Sequence, residues 1–344
     1  MSIAIVRNPL AASATWRQFQ WACGCVGLAI LAGCAIYAVE TLFFHSERRF
    51  VENPADTMTR AIGLAHFSIG WLFLFTSRRL RNRAAIGRLT FWTIFGVAFC
   101  GLFAWGGADR NPLCLMAFYG FFFIHEAFDE AFLFSQSGEL PANTPEVERF
   151  LRSLAWSMSF LLITLLAAGQ ILRGHFLGRS AMLQELPTEW LVAAWCIAAL
   201  LTLGFVVSTI RLALVHGSLS ESALLYQPLF AVYAGLIVIL LVGSLFGSVG
   251  ANLVIMLHGM TWLVQTLRKL NEHHEPATGV WSWLRGTPAG FLTLHLVVIG
   301  LSLFFFAMRS HVWERTGIVC DLVSKTWFPY WAIMHIATAF WRSK

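Results

Sequence analysis

Residues 112–134 read PLCLMAFYGFFFIHEAFDEAFLF. A run of this length and character is what an α-helix rising 1.5 Å per residue needs to cross a hydrocarbon core of about 30 Å. Its second half nevertheless holds His125, Glu126, Asp129 and Glu130. Ionisable side chains in a membrane span are costly and face a bundle interior or a water-filled cavity, so four of them require a reason. At 3.6 residues per turn His125 and Asp129 share one face and Glu126 and Glu130 a neighbouring one. An imidazole there can bind a metal through one nitrogen while Asp129 orients the ring. Glu126 and Glu130 either join the same interior or lie near the membrane surface, where an acid costs little.

The pattern extends outward in both directions. Of 344 residues 58% are hydrophobic and only 12% charged, against roughly 25% charged in a soluble domain, and the mean hydropathy is +0.67. The expected fold is therefore all-α, a polytopic integral membrane helix bundle of about ten transmembrane helices, forming a single membrane domain over 1–344 with no separate soluble domain. The spans are expected at 21–44, 60–77, 88–107, 112–134, 150–172, 188–210, 227–246, 249–267, 288–308 and 325–341. The first 20 residues contain Arg7 and Arg17 and lack an apolar core followed by a small-residue cleavage site, so the first apolar run is expected to remain as a span.

The net charge of +6 does not point to nucleic acid. Its largest cluster, Arg78-Arg79-Leu80-Arg81-Asn82-Arg83 with Arg88, is a short loop between two apolar runs, and positive loops of this kind face the cytoplasm. With the N-terminus inside, 15 of the 24 Lys and Arg residues fall on the inner side and 9 on the outer. That bias predicts a bacterial inner-membrane protein with both termini cytoplasmic. Most of the seven cysteines lie within apolar runs and read as small core residues, and Cys23-Gly24-Cys25 lacks the spacing and partner pair of a zinc site. Trp105, Trp190, Trp327 and Tyr330 lie near span ends, as in an interfacial aromatic belt.

Histidine carries the chemical signal. His66, His125, His258, His295 and His335 lie on different expected spans among Phe, Leu, Ile and Trp. Taken singly, each has the alternative of a structural histidine bonded to a backbone carbonyl or a nearby hydroxyl. Taken together, they predict one convergent polar site, since imidazole is the commonest metal ligand. His45, His175, His216, His311, His273 and His274 lie near span ends or in loops, where water satisfies them, and Glu40 and Arg211 are open between a buried pair and snorkelling. Several imidazoles with one or two carboxylates suit iron, copper or zinc better than magnesium or calcium. Non-haem iron is the first expectation, with Asp129 and Glu126 as catalytic residues; haem b ligated by histidine pairs is the alternative.

His125-Glu126-Ala127-Phe128-Asp129 and His66-Phe67 resemble motifs of the Brp/Blh family of membrane-embedded carotene dioxygenases. The likeness covers a small part of the chain. It departs at Glu126, where the family has glycine, and at Trp262, where a second histidine would follow His258 by four residues. The resemblance implies a non-haem iron held by His66, His125 and His258, with His295 or His335 completing the shell.

These readings converge on a metal oxidoreductase or oxygenase acting on a lipophilic small molecule of isoprenoid, carotenoid or acyl type, with the bilayer as its surroundings. A haem electron-transfer subunit, a proton-coupled carrier using Glu126, Asp129 and Glu130, and an assembly factor with membrane-complex subunits as partners are the other classes. Nucleotide hydrolysis, serine hydrolysis and zincin-type proteolysis are disfavoured, because their motifs are missing from the sequence.

Overall fold

A computed structural model describes residues 54–76, 80, 82–107, 111–135, 145–177, 232–240, 249–272, 278–321 and 327–340, with single positions between 189 and 229. Its bounded helices are α1 (Pro54–Phe75), α2 (Arg83–Trp105), α3 (Pro112–Ser135), α4 (Pro145–Leu177), α5 (Val249–Glu272), α6 (Val280–Gly286), α7 (Pro288–Asp321) and α8 (Phe328–Ala339). The stretch 232–240 is also helical, and no strand occurs among the described residues. The all-α expectation holds for them, and helices α1–α5, α7 and α8 overlap seven of the expected spans, but only two of these helices are long and apolar enough to cross a membrane, so the bundle of about ten spans is not established. The expected span 21–44 lies outside the described residues, as do much of 188–210 and 227–246. So do Cys23, Cys25, Glu40, His45, Arg211, His216, His273 and His274.

Helix starts follow from backbone chemistry. α1, α3, α4 and α7 begin on proline, and α8 has Pro329 in its first turn. Proline is pre-set for the first helical position and gives up only an N–H that would have no partner there. α2 lacks a proline and uses Asn82 instead, whose side chain accepts from the Ala84 N–H at 2.9 Å. After α2 the chain turns at Gly107, whose φ of +97° lies in the left-handed region open to glycine. Asn111 then closes this turn by donating to the Gly106 carbonyl at 2.8 Å.

The described residues fall into two compact units, one taking 126–261 and the other 54–125 with 262–340. In the first unit α4 buries Leu154, Met158, Leu162 and Leu165, a stripe at three-to-four-residue spacing, while Trp156 and Phe160 are exposed. In the second unit Leu64 and Phe67 of α1, Phe103 of α2, Phe118 of α3, and Ala332 and Ile333 of α8 form one core cluster. Ala65 and Ile69 of α1 pack with Phe291 of α7 in another.

Among the described residues two helices, α2 along its whole length and α7 over Pro288–Phe305, are long and apolar enough to cross a membrane. Phe91, Ile94, Val97 and Leu102 of α2 and Leu296, Val297 and Phe304 of α7 are exposed. Hydroxyls along the helices bond back to the preceding turn, as in Thr93 to the Leu89 carbonyl at 2.8 Å, Thr293 to Ala289 at 2.8 Å and Ser302 to Val298 at 2.9 Å. Such bonds satisfy a hydroxyl without water.

Close approach of α2 and α8 depends on Gly96. A Cβ there would stand 2.9 Å from the Ala337 Cβ and 3.0 Å from the Met334 Sδ. The Ala337 methyl is fixed to its backbone, so the helices themselves must separate. Gly96→Ala is expected to destabilise the protein by about 1–3 kcal/mol through overpacking, read as a lower melting temperature in detergent; Gly101→Ala, where an added methyl meets nothing within 4 Å, serves as the control with little change.

Candidate functional site

In the second unit, α1 carries His66, Phe67, Gly70 and Trp71. The four-residue spacing puts His66 with Gly70 and Phe67 with Trp71 on adjoining strips of one helix surface. The buried ring of His335, from α8, lies against this surface. Its centroid is 4.7 Å from His66 at 64° and 4.7 Å from Phe67 in a stacked arrangement at 28°. Gly70 makes room for it, since a Cβ at that position would be 3.2 Å from His335 Cε1. Trp71 fixes the neighbouring turn of α8, its indole N–H donating to the Thr338 hydroxyl at 2.9 Å. That hydroxyl in turn donates to the Met334 carbonyl at 2.8 Å.

Two further rings complete the cluster. His125 of α3 meets His335 edge-on at 5.5 Å and 85°. Trp262 of α5 meets His66 edge-on at 4.6 Å and 81°, so the position where the family pattern would have a second ligand packs an indole against an expected ligand. His66, His125 and His335 are all buried, and a ring nitrogen of His66 lies within 4.8 Å of one of His335.

His295 of α7 packs on Phe291 at 4.4 Å and on Trp262 at 5.6 Å. Its Nδ1 is 2.8 Å from the Phe291 carbonyl oxygen. A carbonyl only accepts, so Nδ1 carries the proton and Nε2 is left as the ring's acceptor. The structural alternative considered for each histidine, a bond to a backbone carbonyl, thus describes His295.

In the first unit, Glu126 and Glu130 of α3 are both 0% exposed. Both carboxylates are thus enclosed by protein, while Asp129 between them is half-buried. His258 Nδ1 of α5 lies 2.6 Å from Glu126 Oε2. The Thr261 hydroxyl donates to the Glu130 carboxylate, and Tyr233 donates to the Ala127 carbonyl at 2.7 Å. Glu126, Glu130 and His258 offer ligand atoms that all lie within 4.8 Å of one another, a buried group able to hold a metal ion.

Of the seven expected site residues, the structure brings His66, His125 and His335 together in one unit and Glu126 and His258 together in the other. The sequence reading gave no role to Thr261, Thr338, Gly70 or Tyr233. A usable signal was present for two of them, because His258 and His335 are each followed three residues later by threonine, which lies on the same helix face. Thr338→Val is expected to leave the Trp71 indole N–H without its acceptor and to cost about 1 kcal/mol, the range of interhelical hydrogen bonds in membranes. Thermal unfolding and a shift in tryptophan emission of the purified protein measure it, and a melting temperature equal to that of wild type would contradict the assigned bond.

Comparison of the chain with known protein families, curated proteins and solved structures found no match.

Proposed function

We propose that this chain is a membrane-embedded metal oxidoreductase of oxygenase type, in which His66, His125 and His335 hold an iron ion and the substrate is a lipophilic molecule of isoprenoid, carotenoid or acyl type. The observation that carries the reading is that the buried ring of His335 on α8 lies against both His66 of α1 and His125 of α3. Two imidazoles bound to one ion through bonds of about 2.1 Å, at a tetrahedral angle, put their ring centroids about 5 Å apart. The observed 4.7 Å and 5.5 Å bracket that value.

Phe67 and Trp71 stand on one side of the imidazoles and Trp262 on another. These rings exclude water and match an apolar substrate better than a polar one. A bound iron would supply the redox chemistry with dioxygen that oxidation of such a substrate requires.

Membrane embedding is supported by the exposed apolar faces of α2 and α7, because in lipid such faces lose nothing. The 15-to-9 division of Lys and Arg supports an inner membrane with both termini cytoplasmic. The Brp/Blh resemblance of His125 and His66 points to the same chemistry.

Metal analysis and an optical spectrum of the full chain purified in mild detergent test the proposal. Stoichiometric iron without a Soret band is expected, and His335→Ala should lower iron retention at least about tenfold. A Soret band would transfer the reading to an electron-transfer haem protein. Absence of any transition metal at stoichiometric level would sink both.

A further inference from the structure

We infer that Glu126, Glu130 and His258 form a second site, built from the first unit alone, that binds one divalent ion of the first transition row. The inference does not rest on the iron assigned to His66, His125 and His335, and it uses none of those residues.

Two carboxylates one helical turn apart, both 0% exposed, are an arrangement that proteins hold only with compensation, since a buried carboxylate is strongly disfavoured unless paired or bound to a metal. The neighbouring protein groups compensate only in part. Thr261 donates to one oxygen of Glu130, and His258 lies beside one oxygen of Glu126. Glu126 Oε1 and Glu130 Oε2 are buried and have no hydrogen-bond partner among the described residues. Tyr233, the other buried hydroxyl at this turn of α3, is engaged with the Ala127 carbonyl. A single divalent cation makes the pair of carboxylates neutral overall.

The size of the cluster fits. Ligand atoms on opposite sides of an ion with bonds of about 2.0–2.2 Å are at most about 4.4 Å apart. The candidate atoms already lie within 4.8 Å of each other, so a contraction of a few tenths of an ångström completes the shell. The ligand types select the ion. Calcium and magnesium prefer shells made entirely of oxygen, whereas an imidazole with two carboxylates suits Mn(II), Fe(II) or Zn(II). Thr261 orients one carboxylate from behind, the usual service of an outer hydrogen-bond donor to a metal ligand. Its own position is set by α5, with the hydroxyl 3.0 Å from the His258 carbonyl one turn back.

The test uses the full chain in detergent, stripped with a chelator and titrated with Mn(II), the free ion being followed by its paramagnetic resonance signal. With the histidine set disabled by His66→Ala and His335→Ala, one Mn(II) per chain is expected to bind. Adding Glu126→Gln and Glu130→Gln should weaken that binding at least about tenfold. Because two alanines at buried positions remove packing, a second measurement uses the Gln pair alone, which keeps side-chain shape. Wild type should gain thermal stability on adding Mn(II), and the Gln pair should lose this gain. Unchanged Mn(II) affinity or an unchanged thermal gain in the Gln pair would overturn the site. So would loss of all Mn(II) in an alanine background that still unfolds cooperatively, because the ion would then need the histidine set and the site would not be separate.

Discussion

The second unit is organised around the ring of His335. It stacks on Phe67, meets His66 and His125 at their edges and occupies the space that Gly70 leaves open. What holds α1, α2 and α8 together is close packing and interhelical hydrogen bonding. Small residues make the packing possible here. Gly63 faces the Phe328 ring, Gly70 faces His335 and Gly96 faces Met334 and Ala337, so that both α1 and α2 approach α8 through glycines. The Trp71–Thr338 bond then sets which turn of α8 meets which turn of α1. The imidazoles are thereby held by the same contacts that hold the helices.

A polar group away from water must find a partner within the protein or the fold loses the full cost of its desolvation. Most described polar groups find one close by. Ser159, Thr164 and Ser302 bond the carbonyl one turn back, His295 bonds the Phe291 carbonyl, and Tyr233 reaches across to Ala127. Against this background Glu126 and Glu130 stand out, each with an oxygen that has no hydrogen-bond partner among the described residues. Elsewhere the chain solves the same problem with an ordinary hydroxyl or a helix carbonyl.

The helices were legible because a membrane-length apolar run is a coarse, robust signal. Their ends were less so. Hydropathy sees the apolar part of α2 from residue 88, whereas the helix begins at Arg83 behind the Asn82 cap. It places the end of one span at 308, yet α7 continues to Asp321 through Arg309, His311 and Arg315, since backbone hydrogen bonds are indifferent to side-chain polarity. The prolines at the starts of α1, α3, α4 and α7 were the better boundary markers. For the site, spacing correctly grouped Glu126 with Glu130 but could not tell depth, because periodicity assigns a face and not a distance from water. Depth belongs to what packs over the face. Likewise nothing at His295 in the sequence shows that its ring takes the carbonyl one turn back.

Trp262 shows why ligand positions cannot be read apart from packing. The family pattern would have a histidine there, four residues after His258, and the indole does stand at the edge of an expected ligand, 4.6 Å from His66. It also packs on Phe291 at 5.5 Å and on His295 at 5.6 Å, joining α5 to α7 within the second unit. Replacing it with imidazole would add a nitrogen donor and at the same time empty the volume that holds those rings, and large-to-small changes at an aromatic core position cost on the order of 3 kcal/mol or more. On α5, His258 and Thr261 contact the carboxylates of α3, and Trp262 packs against Phe291. A chain that used residue 262 as a ligand would need a different filling between α1 and α7, so this departure from the family pattern belongs to the packing of the second unit as much as to its chemistry.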